Sequence, residues 1–277
     1  MNARHLVACD LDRTLIYSAR AFWLETLDAD APPIVVAEVY QGVPISYMTR
    51  AAERLLLELA ATATFVPVTT RTVAQYSRVQ LPGPVPRFAI TTNGGMILVD
   101  GRPDADWANS LQERLREQAA PLAEVRALLE HPAAAAWILR VHTAEDLFTY
   151  AIIDRDAMPA DWIAALHTQC LTLGWTVSVQ GRKLYCVPEA VNKSAAVAEV
   201  HRRLGAPTVL AAGDSLLDQR MLERADFAFR PAHGELHEAA FLRSNLAVTA
   251  ARGILAGEEL LRSITSRVLA DALLPTD

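Results

Sequence analysis

The chain has 277 residues, 52% hydrophobic and 21% charged, which excludes a disordered or fibrous protein and allows one large domain or two modest ones. Its net charge is −6 and its pI about 5.7, so no basic stripe is available to neutralise phosphates and no nucleic-acid partner is expected. No apolar run reaches the roughly 18 residues of a membrane helix, four apolar residues before Asp10 are too few for a secretory leader, and three cysteines without metal-ligand spacing suit a reducing cytoplasm.

In chain order, His5 to Cys9 reads as a buried strand, followed at once by Asp10-Leu11-Asp12-Arg13-Thr14. Residues 18–47 are mixed. Ala19 to Leu27 looks helical, Pro32-Pro33 breaks it, and Ile34 to Tyr40 is β-rich; the segment is either a flap near the first strand's end or a surface excursion. An amphipathic helix over 48–62 presents Leu55, Leu56 and Leu59 at helical spacing. Phe65 to Val68 is a second buried strand, ending in Thr69-Thr70-Arg71, and a short helix is expected over 72–80. Phe88 to Ile90 is a third strand, and Asn93-Gly94 signals a turn into an antiparallel return at Met96 to Val99.

The pattern changes after Asp100-Gly101-Arg102-Pro103. One helical stretch over 107–130, bent at Pro121, precedes strands at Trp137 to His142 and Leu147 to Ile153. A helix over 159–173 precedes strands at Trp175 to Val179 and Lys183 to Val187. Helix-strand-strand, twice over, makes a compact α+β layer. From Lys193 the first pattern returns: a helix to Leu204, a strand at Thr208 to Ala212, then Gly213-Asp214-Ser215-Leu216-Leu217-Asp218. Short strands near Phe227 and Leu246 and a final helix from Ile254 complete it. The fold class is therefore α/β: a doubly wound, Rossmann-like core with a parallel sheet at 1–102 and 188–277, and an inserted α+β (αββαββ) layer at 103–187.

Four polar clusters each sit at an element end: Asp10/Asp12, Thr69/Thr70, Lys193, and Asp214/Asp218. In a parallel sheet such ends share one edge, so distant residues can converge. Carboxylates so gathered repel one another unless a divalent cation lies among them, and hard oxygen donors favour Mg²⁺. A hydroxyl and an ammonium beside that cation suit a phosphoryl group.

These motifs, in this order, resemble the four of the haloacid dehalogenase (HAD) superfamily, and the inserted layer resembles the C2B-type cap of its Cof-type and sucrose-phosphatase-like members. Asn93-Gly94-Gly95 resembles the turn those members carry. Asp10 to Ser18 is also similar to HAD proteins of bacterial tellurium-resistance-type gene clusters. The resemblance implies a Mg²⁺-dependent phosphatase of a small phosphorylated metabolite, a sugar phosphate first. Asp10 would be the nucleophile and Asp12 the acid and base, its backbone carbonyl on the metal. Thr69 and Thr70 would bind the phosphoryl oxygens, Lys193 would bind phosphate and offset its charge and that of Asp10, and Asp10, Asp214 and Asp218 would hold Mg²⁺ with Asp12. Arg182 and Lys183 of the cap could meet the substrate, as could Arg71 and Arg13. Arg13 stands where many relatives have Gly, and Thr70 replaces the Gly of Thr-Gly-Arg71; both bear on substrate size. A phosphomutase and a non-catalytic metabolite-binding protein are the alternatives, and the oligomeric state is open.

Other signals compete. Gly213-Asp214-Ser215-Leu216 spells an esterase signature, but no later Asp-x-x-His follows it. Cys9 lacks the downstream Arg of a Cys-dependent phosphatase. His233 and His237 have helical spacing but no third ligand, and are expected at the surface.

Overall fold

The computed structural model describes residues 5–272; the outermost parts of the expected core, residues 1–4 and 273–277, lie outside them. Strand β1 (Leu6–Cys9) is buried throughout. Alternation sends Leu6 and Ala8 into one hydrophobic cluster and Val7 and Cys9 into another, as a strand covered on both faces requires.

The helix expected over Ala19 to Leu27 does not form beyond one turn at Ala19–Ala21. Tertiary contacts decide otherwise: the Phe22 ring meets Tyr47 edge-on at 5.4 Å, and the Phe22 carbonyl accepts the Ile254 N–H. Strands β2 (Ile34–Tyr40) and β3 (Val43–Thr49) form an antiparallel hairpin. Its turn, Gln41-Gly42, has φ of 50° and 77°, the left-handed pair that a two-residue hairpin needs. A bulge at Glu38 breaks the alternation, so that Ala37 and Glu38 both point inward.

Helix α1 (Arg50–Thr62) is capped by Thr49, whose hydroxyl accepts the Ala52 N–H at 3.0 Å. It buries Leu56 and Leu59, each stabilising by ~1.5–3 kcal/mol. Strand β4 (Thr64–Pro67) follows. Helix α2 (Val73–Tyr76) is shorter than expected, because Gln80 donates to Ala37 of the hairpin and Val79 bridges Glu38. Strands β5 (Phe88–Thr91) and β6 (Met96–Val99) pair antiparallel, and β7 (Arg102–Pro103) adds a short edge.

The single helix expected over 107–130 is two, α3 (Ala105–Gln118) and α4 (Leu122–Leu129). The break precedes Pro121, and Ala120 turns its N–H to the Leu173 carbonyl instead. Then come β8 (Ile138–Ala144), β9 (Phe148–Ile153), α5 (Ala160–Thr172), β10 (Trp175–Gln180) and β11 (Lys183–Pro188). The strands form one antiparallel sheet in the order β10-β11-β9-β8. Leu111, Val125, Leu129, Leu166 and Cys170 bring α3, α4 and α5 into its core.

Helix α6 (Lys193–Leu204) ends at Gly205 in the left-handed conformation, φ 58°. Strand β12 (Val209–Ala212), helix α7 (Gln219–Arg224), strand β13 (Phe227–Arg230), helix α8 (Glu235–Glu238), strand β14 (Leu246–Val248) and helix α9 (Ile254–Ala272) complete the chain. The five-stranded sheet, β14-β13-β12-β1-β4, is parallel throughout, and a Val68–Ile90 bridge links it to β5. The chain leaves β1 with β4 on one side and β12 on the other, a topological switch that opens a crevice at the strands' C-terminal ends. Among the described residues no helix is long and apolar enough to cross a membrane.

Candidate active site

Asp10 leaves β1 directly into that crevice. Its carboxylate accepts from Lys193 Nζ at 2.6 Å and from the Thr14 hydroxyl at 3.1 Å. Lys193 is 1% exposed and donates equally, at 2.6 Å, to Asp218. Asp218 is fully buried, its other oxygen held by the Ser215 N–H at 3.0 Å and the Ser215 hydroxyl at 2.7 Å. Ser215 thus orients an acid, and no histidine shares in these contacts.

Lys193 reaches this point because of how α6 begins. Asn192 caps the helix by accepting the Ala195 N–H at 2.8 Å, and Asn93 donates to the Val191 carbonyl at 3.0 Å. Thr92 and Asn93 are both left-handed, φ 53° and 57°, and Gly94 follows at 92°. A Cβ on Gly94 would strike the Asn192 carbonyl, so the Asn-Gly turn serves chiefly to seat the start of α6.

Asp10, Asp214 and Asp218 present oxygens within 4.8 Å of one another. Burial pushes the Asp10 carboxyl up to about 7 against the pull of Lys193, with Asp218 and Asp12 adding repulsion. Burial also raises Asp214 well above the usual carboxylate range, reinforced by Asp10 and Asp218. Burial would lower Lys193, but the two carboxylates outweigh it and keep the ammonium charged. The floor is therefore short of positive charge. Its donors are hard oxygens, and its span approaches the ~4.2 Å between opposite ligands of an octahedral Mg²⁺. The residues present fit that ion.

Asp12 points elsewhere. Arg71 grips its carboxylate with two hydrogen bonds of 2.7 Å and donates at 2.7 Å to the buried Glu38, which also accepts from Arg78 at 3.0 Å. Partial desolvation works against ionisation of Asp12, yet Arg71 holds it below the usual range. Glu38 was not identified from sequence; the only signal was an acid inside the β-rich run of residues 18–47.

Thr69 is fully buried, and its hydroxyl accepts the Arg71 N–H at 3.1 Å. Thr70 is half-buried and lines a cavity of about 810 Å³ above the acid cluster, together with Asp12, Arg13, Arg71, Arg182, Lys183 and Asp214. Arg13 has φ 64°, a conformation that Gly adopts without strain. Its guanidinium stands 3.7 Å from Asp214 and 5.1 Å from the Trp23 ring centre.

The surface position expected of His233 is wrong. It is 2% exposed, with Nε2 at 2.7 Å from the Arg13 carbonyl and Nδ1 accepting the Gly253 N–H at 3.2 Å. These two bonds require the neutral Nε2–H form, and burial lowers its pKa to about 4. The loop after β1 is thereby fastened to the start of α9. Gly234, φ 88°, must be glycine, since a Cβ there would lie 2.5 Å from two Asp214 oxygens.

Two carboxylates cross between the layers. Glu145, in the β8–β9 turn, accepts from the Val73 N–H at 2.9 Å and from the Thr92 hydroxyl. Glu235 accepts from the Ser178 hydroxyl at 2.8 Å and the Val179 N–H at 2.9 Å.

No family model matches the sequence, and no curated protein matches it. Solved structures resemble it closely in fold. The sucrose-phosphatase of Synechocystis sp. PCC6803, in complex with sucrose and phosphate, aligns over 97% of this chain and 98% of its own, with 16% identity and a TM-score of 0.66. A trehalose-6-phosphate phosphatase related protein aligns over 96% and 99%, with 15% identity and a TM-score of 0.55. A HAD subclass IIB sugar phosphatase aligns over 98% and 100%, with 12% identity and a TM-score of 0.54. The chain has the α/β fold of the HAD-superfamily phosphatases, a parallel core sheet with a second, antiparallel layer.

Proposed function

We propose that the chain is a Mg²⁺-dependent phosphatase of a small phosphorylated metabolite, of the sugar-phosphate kind, working in the cytoplasm. The core would be residues 1–102 and 188–277, and the cap residues 103–187. The observation that carries this reading is Asp10: a carboxylate at the C-terminal end of an interior strand of the parallel sheet, ion-paired to a buried lysine and ringed by two further acids. A binding module has no use for so costly a cluster.

Asp10, Asp214 and the Asp12 backbone carbonyl would hold Mg²⁺, with Asp218 bonding to its waters. Held there, Mg²⁺ would supply positive charge for the phosphoryl oxygens and would keep Asp10 ionised at neutral pH. Asp10 attacks phosphorus, an Asp10 O–P bond forms, and the bond to the leaving oxygen breaks. Asp12 gives that oxygen a proton, then takes one from the water that attacks the aspartyl-phosphate, releasing phosphate and regenerating Asp10. Because Arg71 lowers the Asp12 carboxyl, Asp12 would first take up the proton it donates from water, as the arriving phosphoryl oxygens share the hydrogen bonds of Arg71. Lys193 holds Asp10 in line, and the Thr69 and Thr70 hydroxyls donate to phosphoryl oxygens.

The test is phosphate release from sugar phosphates, nucleotides and phospho-acids, with Mg²⁺ and with EDTA. Asp10→Asn is expected to reduce release by roughly three orders of magnitude or more while the fold persists. Undiminished release by Asp10→Asn would end this reading.

A further inference from the structure

The cavity above Asp10 holds more cations than its own acids can use. Its three lining carboxylates are already engaged: Asp12 by Arg71, Asp214 by Arg13 and Glu238 by Arg155. Four further cations, Arg20, Arg182, Lys183 and Arg252, line the same space with exposed side chains. Among the described residues none of the four has a carboxylate within ion-pair distance. This excess is local, since the whole chain carries −6.

The four come from both sides of the cavity. Arg20 follows β1, and Arg252 precedes α9. Arg182 and Lys183 form the turn and first residue of the β10–β11 hairpin. Arg252 lies 5.8 Å from the Trp23 ring centre, on the ring that Arg13 also meets. A guanidinium packed against an indole keeps its planar fork free for a carboxylate or phosphate. The phosphoryl group itself is provided for at the floor by Lys193 and the hydroxyls. A neutral sugar, in contrast, would ask these four cations to give up water for hydroxyls alone.

Resting on the phosphatase reading, we propose that the substrate carries a second anionic group, a carboxylate or a second phosphate, remote from the scissile phosphoryl. It is held between Arg20 and Arg252 on the core side and Arg182 and Lys183 on the cap side. Charge-assisted contacts to both layers also tie the cap to the occupied core.

The experiment uses a matched set: glucose 1-phosphate, glucuronic acid 1-phosphate and glucose 1,6-bisphosphate, with glycerol 3-phosphate and 3-phosphoglycerate as a second pair. Binding to the Asp10→Asn protein with Mg²⁺ is measured by calorimetry, and kcat/KM on the wild type. The anionic members are expected to bind at least about tenfold more tightly than their neutral partners. The preferred member decides between carboxylate and phosphate. Arg182→Gln and Arg252→Gln, both at exposed positions, should each shrink the anionic-to-neutral ratio severalfold. Equal binding of anionic and neutral partners, or ratios that neither variant changes, overturns the proposal. Anionic preference in binding without release of phosphate from any compound would uphold this inference and defeat the phosphatase reading; efficient release from neutral partners alone would do the reverse.

Discussion

The floor of the site and the walls above it are built on opposite charge. At the floor, Asp10, Asp214 and Asp218 are buried around one lysine, and burial raises two of the three carboxyls. On the walls, arginines face an open cavity, some with no ion-paired carboxylate among the described residues, and water screens the exposed ones. The floor is costly to assemble and so is over-determined by hydrogen bonds from Thr14, Ser215 and Lys193. The walls, more exposed to water, cost less to assemble. On the proposed function, chemistry would be fixed where desolvation makes every charge count, and selectivity would be set where it does not.

Substitutions can break that contrast. The largest effect is expected of Lys193→Met, which strands Asp10 and Asp218 without their buried partner. Removing one member of a buried pair costs ~3–5 kcal/mol. Urea unfolding in EDTA should show it, more at pH 8 than at pH 6, because Asp10 can take up a proton at the lower pH. A loss below about 1 kcal/mol would mean the floor is more hydrated than its burial implies.

His233 gives the next effect. Its folded pKa, about 4, lies below the ordinary ~6.5 of the unfolded chain. The unfolded state thus binds the extra proton between those values. The stability it contributes is complete above pH 6.5 and falls away as pH drops towards 4, by up to ~3 kcal/mol. Wild type should lose this between pH 7 and pH 4.5 relative to His233→Gln; parallel pH profiles would refute it.

Gly234→Ala sharpens the role of the floor without removing a charge. Its Cβ would press on Asp214, and displacing one ligand should weaken Mg²⁺ binding ~10–100-fold, read from the Mg²⁺ dependence of thermal unfolding. Unchanged Mg²⁺ affinity would place Asp214 outside the metal's reach.

Glu38→Gln tests the wall. Arg71 keeps Asp12 and Arg78 reaches solvent, so the stability loss should be only ~1 kcal/mol. The acidic limb of the rate profile should nonetheless move, because Arg71 would be held less firmly against Asp12. An unmoved limb would show that Glu38 supports the hairpin alone.

The strands at Leu6, Val209, Phe227 and Leu246 were legible because apolar runs bounded by turn signals have few other readings. That Asp10, Lys193 and Asp214 would meet was expected for a different reason: each follows or opens an element at one edge of a parallel sheet, and their order resembles a known motif series. The segment 18–47 was not. Ala19 to Leu27 has helical composition, yet contacts from Tyr47 and Ile254 redirect it. Glu38 looked like any strand acid until a bulge turned it inward.

By itself the sequence determined the α/β class and the alternation that buries β1 on both faces, because these follow from local periodicity and side-chain type. Only the tertiary structure decided that Arg71 holds Asp12, that Glu38 backs Arg71, that His233 is buried and neutral, and that four cations with no ion-paired carboxylate among the described residues line one cavity. Each depends on which distant segments meet. Those meetings are set by packing across the crevice between β1, the β2–β3 hairpin and the antiparallel layer, over separations that no local pattern records.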